Sequence, residues 1–171
     1  NNYKWGRFDK NYLEKFKRRK FKSCSIWHVP LKYFENNPYQ NNILFTIVRN
    51  PYTRCISEFY CPWSGNKNQN ANIKEFNQWI RNKLNKDNII SFLPYHEYIE
   101  YNNETIINYV LHFENLQNEF NNLFTDIKLD RHDNKHMFLK NYNIDSLDNE
   151  TIKMINNKYR KDFEIFGYDM I

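Results

Sequence analysis

Phe45-Thr-Ile-Val-Arg-Asn-Pro-Tyr-Thr-Arg-Cys-Ile-Ser-Glu-Phe-Tyr60 reads as a buried strand that delivers an arginine to the start of a helix. The run from Ile43 to Val48 is apolar apart from Thr46, which suits a strand covered on both faces. Asn50 carries the short acceptor side chain of a helix N-cap. Pro51 fits the first helical position, where the N–H it lacks would be unpaired anyway. In a helix over Pro51 to Tyr60, Asn50, Arg54 and Ser57 share one face at spacings of four and three. Arg49, at the carboxyl end of the strand, can aim its guanidinium fork at the same place. A fork, a hydroxyl and the free N–H groups of a helix start make a site for a dianion. The plainer alternative is a strand-turn-helix whose arginines pair with surface carboxylates.

The full pattern Val48-Arg-Asn-Pro-x-x-Arg-x-x-Ser-x-x-Tyr60, with its apolar strand in front, is more specific than any one pair within it. It resembles the motif by which sulfotransferases hold the 3′-phosphate of the sulfate donor PAPS. That resemblance implies Arg49 and Ser57 as phosphate ligands and Arg54 as a structural or secondary contact. Three other segments agree in order and spacing. Ser25-Ile-Trp-His-Val-Pro-Leu-Lys-Tyr-Phe34 resembles the His-Val segment of the carbohydrate sulfotransferases, in particular the hexuronic-acid, heparan-type branch. Val110-Leu-His-Phe-Glu-Asn-Leu116 resembles their later strand with its acidic turn, with His112 where Arg or Tyr is usual. Tyr159-Arg-Lys-Asp-Phe-Glu-Ile-Phe-Gly-Tyr168 resembles their closing helix. The resemblance implies a three-layer α/β fold, a parallel sheet with flanking helices, of the P-loop-like sulfotransferase kind. It also implies PAPS as donor, PAP as product, a carbohydrate hydroxyl as acceptor and no metal.

One departure stands against these matches. The family begins with a strand and a Gly/Thr/Ser/Lys loop around the donor's 5′-phosphosulfate, and the three glycines, Gly6, Gly65 and Gly167, offer no such loop. The reading is a single domain, 1–171, lacking its first strand and loop. The sequence is then a fragment, or another chain or connection supplies the loop, or the donor-activating half has been lost. In the last case the chain is a catalytically silent module that binds PAP or an anionic glycan.

At 171 residues, 40% hydrophobic and 18% aromatic, the chain has material for one sizeable core. The mean hydropathy of −0.92 reflects abundant Asn and Lys, read as nucleotide-composition bias and not as disorder. No run of about 18 apolar residues suggests a membrane span, and the polar start Asn1 to Lys4 does not resemble a signal peptide. The compartment stays open, with the Golgi lumen implied only by likeness to eukaryotic carbohydrate sulfotransferases. Cys24, Cys55 and Cys61 have neither zinc-ligand nor disulfide-framework spacing. Cys55 and Cys61 are expected on different faces of one helix. Asn103-Glu-Thr and Asn149-Glu-Thr are glycosylation sequons of a kind that arises easily in an Asn-rich chain.

Net charge is +5, and Lys15-Phe-Lys-Arg-Arg-Lys-Phe-Lys22 is the densest basic run. Such a run is most simply a solvated helix face. Read functionally, Lys17, Arg18, Arg19 and Lys20 form a strip for a sulfated or uronic-acid polysaccharide, or for nucleic acid. No helix-turn-helix, zinc-finger or RNA-recognition motif supports the nucleic-acid alternative.

Hydrophobic periodicity predicts a basic helix over Asn11 to Lys20, strands over Ser23 to Val29 and Ile106 to Phe113, and a helix through Ile73, Phe76, Ile80 and Leu84. It also predicts irregular chain from Asn85 to Tyr101, a short helix from Leu116 to Phe124 and a polar loop from Asp126 to Tyr142. One closing helix from Leu147 to Phe166 ends on Gly167. Alternating strands and helices point to a parallel sheet, with ligands beyond the carboxyl ends of its strands. Sulfuryl transfer to a hydroxyl needs a base. His28 matches the family's histidine and is the first candidate, against the alternative of a core histidine bonded to a carbonyl. His96, in a loop expected to face substrate, is the second. His112, His132 and His136 follow.

Overall fold

The β1 strand, Phe45–Val48, and helix α1, Pro51–Tyr60, form where the local signals place them. Asn50 caps α1 by accepting the Tyr52 N–H at 3.0 Å and the Thr53 N–H at 3.5 Å. The computed structural model describes residues 28–33, 37, 39–66, 68, 70–127, 129 and 141–171. The basic helix, the Lys17/Arg18/Arg19/Lys20 strip, Cys24, His132 and His136 lie outside them, as does all of the Ser23 to Val29 strand except its last two residues. Those two, His28 and Val29, are in a turn and a bend, not a strand.

After α1 come α2, Ile73–Leu84, the short α3, His96–Ile99, and a two-stranded antiparallel ribbon of β2, Glu100–Tyr101, with β3, Glu104–Thr105. Then follow β4, Tyr109–His112, and α4, Leu116–Leu123. Two final helices, α5, Asn149–Lys158, and α6, Arg160–Phe166, replace the single closing helix expected. The break falls at Tyr159, with φ −108° and ψ 17°, where neither Pro nor Gly marks it. Its cause is tertiary: the Tyr159 ring is fully buried and its hydroxyl donates to the Phe92 carbonyl at 3.0 Å. Gly167, at φ 70°, then ends α6 in the left-handed region, and Tyr168 N–H reaches back to the Phe163 carbonyl at 3.1 Å.

β1 pairs with β4 in parallel, Phe45 opposite Tyr109 and Val48 opposite His112, so the fold is mixed α/β with a parallel sheet and flanking helices. The sheet is not covered on both faces as the apolar run suggests. Val48 and Leu111 are buried, yet Ile47, Tyr109 and Val110 are each more than a third exposed, because among the described residues no element packs over them. The main core lies between α1, α2, α5 and α6, around Tyr52, Phe59, Phe76, Ile80, Ile155, Tyr159 and Phe163. Phe59 meets Phe76 edge-on at 4.9 Å between centroids. Each side chain of this size contributes about 1.5–3 kcal/mol by leaving water. This packing fixes α1, and α1 fixes the residues at its amino end.

Candidate functional site

Arg49 leaves β1 and folds back along α1. Its Nε donates to Thr53 Oγ1 at 3.1 Å, and its guanidinium lies over the Phe113 ring, 4.5 Å from the centroid. Thr53 Oγ1 in turn donates to the Asn50 carbonyl at 3.1 Å, which fixes the acceptor that orients Arg49. Ser57 is one helical turn beyond Thr53 on the same flank. Arg49, Thr53 and Ile56 form one wall of a cleft of about 540 Å³ whose other wall is Tyr142 to Asp145.

The expected free N–H groups at the start of α1 are absent. Asn50 Oδ1 takes those of Tyr52 and Thr53, Pro51 has none, and Asn50's own N–H is held by Glu114 Oε1 at 2.9 Å. An anion here would be held by side chains, because the N-cap that starts the helix also uses its donors.

Arg54 is turned inward and only 7% exposed. Its Nη2 donates to the Ser91 carbonyl at 2.9 Å, and its guanidinium lies 3.9 Å from the centroid of the Tyr95 ring and 5.6 Å from that of Tyr159. Its Nη1 has no hydrogen-bond partner among the described residues. Arg54 therefore takes the structural side of its expected role. Among the described residues neither Arg49 nor Arg54 has a carboxylate ion-pair partner. Burial holds Arg49 below the ordinary arginine pKa, against the opposing pull of Tyr95, Glu114 and Glu58. Burial also pushes the Glu58 carboxyl up, opposed by its hydrogen bond with Ser91 and by both arginines. Unpaired guanidinium groups withdrawn from water are costly unless an anion joins them.

The two leading histidines belong to segments that dock together. His28 is exposed, and its carbonyl accepts the Tyr98 hydroxyl at 3.1 Å. Lys32 and Tyr33, just beyond it, reach Glu97 at 3.3 and 2.6 Å. His96 lies between Tyr95 and Glu97, its ring Nδ1 2.7 Å from Asp162 Oδ1. His112 is committed to packing: Nε2 donates to the Phe166 carbonyl at 3.1 Å and Nδ1 lies 3.3 Å from Glu119. Thr53, Tyr95, Phe113, Glu114 and Asp162 were not singled out from the sequence. Thr53 is four residues from Arg49, and Phe113, Glu114 and Asp162 stand in the quoted family-like segments, but nothing in those segments ties them to this site. All except Thr53 lie 46 to 113 residues downstream of Arg49, as Tyr95 and Asp162 illustrate.

Cys55 is buried and free, and Cys61 is free just past the end of α1, so the two do not share a helix as expected. Among the described residues no three His, Cys, Asp or Glu side chains are grouped to hold a metal ion, and no helix is long and apolar enough to cross a membrane. No curated protein and no solved structure matches this chain. The model of the sulfotransferase family matches residues 2–169, nearly the whole sequence, and the chain belongs to that family of sulfuryl-transferring enzymes, which generally take the group from PAPS.

Proposed function

We propose that this protein moves a sulfuryl group from PAPS to a hydroxyl of a carbohydrate acceptor of the hexuronic-acid class. Arg49 and Ser57 hold the donor's 3′-phosphate, Arg54 supports them from within, and a histidine of the docked His28 and His96 segments takes the acceptor proton. His28 is the position that matches the family. The observation that carries the reading is Arg49 itself. It is largely withdrawn from water and without a carboxylate ion-pair partner among the described residues, and Thr53 and Phe113 fix it at the end of β1 beside a cleft. A dianion placed there supplies the missing countercharge, and the two Nη groups of Arg49, unbonded among the described residues, give it a bidentate partner. The cleft leaves room beside the phosphate for the rest of a nucleotide.

A second reading, a silent module that binds PAP without turnover, is favoured by the two described glycines. Gly65 and Gly167 both end helical turns in the left-handed region, and neither forms a phosphate-wrapping loop. Calorimetric titration with PAP tests what the two readings share. Arg49→Ala and Ser57→Ala should each lower affinity about tenfold to a hundredfold, the scale of a lost hydrogen bond to a charged group. Unchanged affinity in both would remove the phosphate site. PAP binding without product from PAPS would select the silent module.

A further inference from the structure

We propose that His96 is the general base of the reaction and that Asp162 is its positioning residue, an inference that rests on the donor reading above. Asp162 is 1% exposed. Its Oδ2 accepts the Tyr95 N–H at 2.6 Å, and its Oδ1 accepts both the His96 N–H at 2.9 Å and the His96 ring Nδ1–H at 2.7 Å. Both carboxylate oxygens accept, so the proton of the third contact belongs to the ring. The imidazole is thereby fixed as the Nδ1–H tautomer, with its lone pair on Nε2. One carboxylate also fixes the backbone that carries the ring, which sets the direction of that lone pair. An imidazole held in this way by a buried carboxylate is the arrangement that makes histidine an effective proton acceptor.

The placement suits the role. Tyr95, the preceding residue, lies with its ring 3.9 Å from the Arg54 guanidinium carbon and within electrostatic reach of Arg49. The residue that precedes His96 is thus packed against the buried Arg54 of α1. Its side chain is only 14% exposed, whereas His28 is exposed. Among the described residues the charged group in contact with its ring is Asp162 from α6; Glu97, next in sequence, is itself held by Lys32 and Tyr33 from the turn that docks on α3. The Tyr98 hydroxyl, two residues on from His96, ties the His28 segment to the same helix.

In the step, the acceptor oxygen bonds to sulfur while the bond from sulfur to the 5′-phosphate oxygen breaks, and that electron pair leaves on PAP. The acceptor proton passes to Nε2, Asp162 stabilises the imidazolium, and Nε2 later returns the proton to water.

The test uses the full chain with PAPS and heparosan, a hexuronic-acid polysaccharide. His96→Ala should lower kcat by about 10²–10⁴-fold, leave PAP affinity unchanged, and regain turnover with added imidazole. A His96→Ala protein with undiminished kcat overturns the assignment and leaves the donor reading standing; a wild-type chain that does not bind PAP overturns the donor reading itself. Histidine proton–nitrogen correlation spectra of the wild-type protein need no acceptor and provide the second measurement. An Nδ1–H tautomer at His96, lost in Asp162→Asn, supports the dyad, and an Nε2–H tautomer in the wild type refutes it.

Discussion

Glu114, just past the end of β4, accepts the backbone N–H of Asn50 through Oε1 at 2.9 Å. Its other oxygen accepts the Tyr168 hydroxyl, also at 2.9 Å. One carboxylate thus ties the turn that presents Arg49 to the residue that follows the cap of the last helix. Phe113, beside it, supplies the ring under the Arg49 guanidinium. Burial, and then the bond to Glu114, pushes the Tyr168 phenol up, so the hydroxyl stays a donor across the working pH range.

Removing this clasp should affect fold and site together. Glu114→Ala is expected to destabilise the protein by about 0.5–1.5 kcal/mol in urea unfolding, the net worth of a solvent-accessible hydrogen bond. PAP affinity should fall as well, because the Asn50 turn loses its anchor. Glu114→Gln, which keeps an acceptor for Asn50, should lose less of both. Wild-type PAP affinity in a folded Glu114→Ala protein would separate the clasp from the site.

At the other end of the core, Asp148 caps α5 by accepting the Thr151 N–H at 2.8 Å, and it binds Arg81 Nη1 at 2.6 Å. Burial opposes its charge, but these hydrogen bonds outweigh that effect and hold its carboxyl below the usual range. A carboxyl depressed in the native state adds stability above its unfolded pKa and loses it as pH falls through the native one. Asp148→Ala should therefore cost about 0.5–2 kcal/mol near neutrality, with the ion-pair share small because the side chain is half exposed. The gap from wild type should narrow as pH is lowered through the carboxylate range. Thermal melts across that range check it, and a gap that widens in acid contradicts it.

The Cys55 thiol is pushed up to about 12 by burial, even though the Arg54 charge pulls it the other way. It should be inert in the native protein. In a Cys24→Ser background, an aromatic disulfide reagent at mildly alkaline pH should titrate Cys61 first and reach Cys55 only at the rate of unfolding. Two thiols reacting equally fast would refute this.

What could be read ahead of the structure was whatever the chain encodes locally. Asn50 and Pro51 set the start of α1, and Ile73, Phe76, Ile80 and Leu84 set α2, because caps and apolar periodicity act within a few residues. The β2–β3 ribbon was legible and missed: Asn102 and Asn103 take φ of 51° and 65°, the left-handed pair that asparagine tolerates in a tight hairpin. The interruption at Tyr159 was not legible, since only the distant Phe92 carbonyl explains it. The same holds for the site. Arg49 and Ser57 stand in one short pattern, but the carboxylate behind His96 lies 66 residues away, and neither partner advertises the other.

The parallel pairing of β1 with β4 has a consequence for the order in which the molecule is made. Asn50 and Glu114 are 64 residues apart, and closing so long a loop before any contact rewards it slows assembly. Because Tyr168 completes the same junction, a chain emerging from the ribosome lacks the finished clasp on the Asn50 turn until that tyrosine has been synthesised. The aromatic interior, which needs Tyr159 and Phe163, and the proposed anion site therefore reach completion together during biosynthesis.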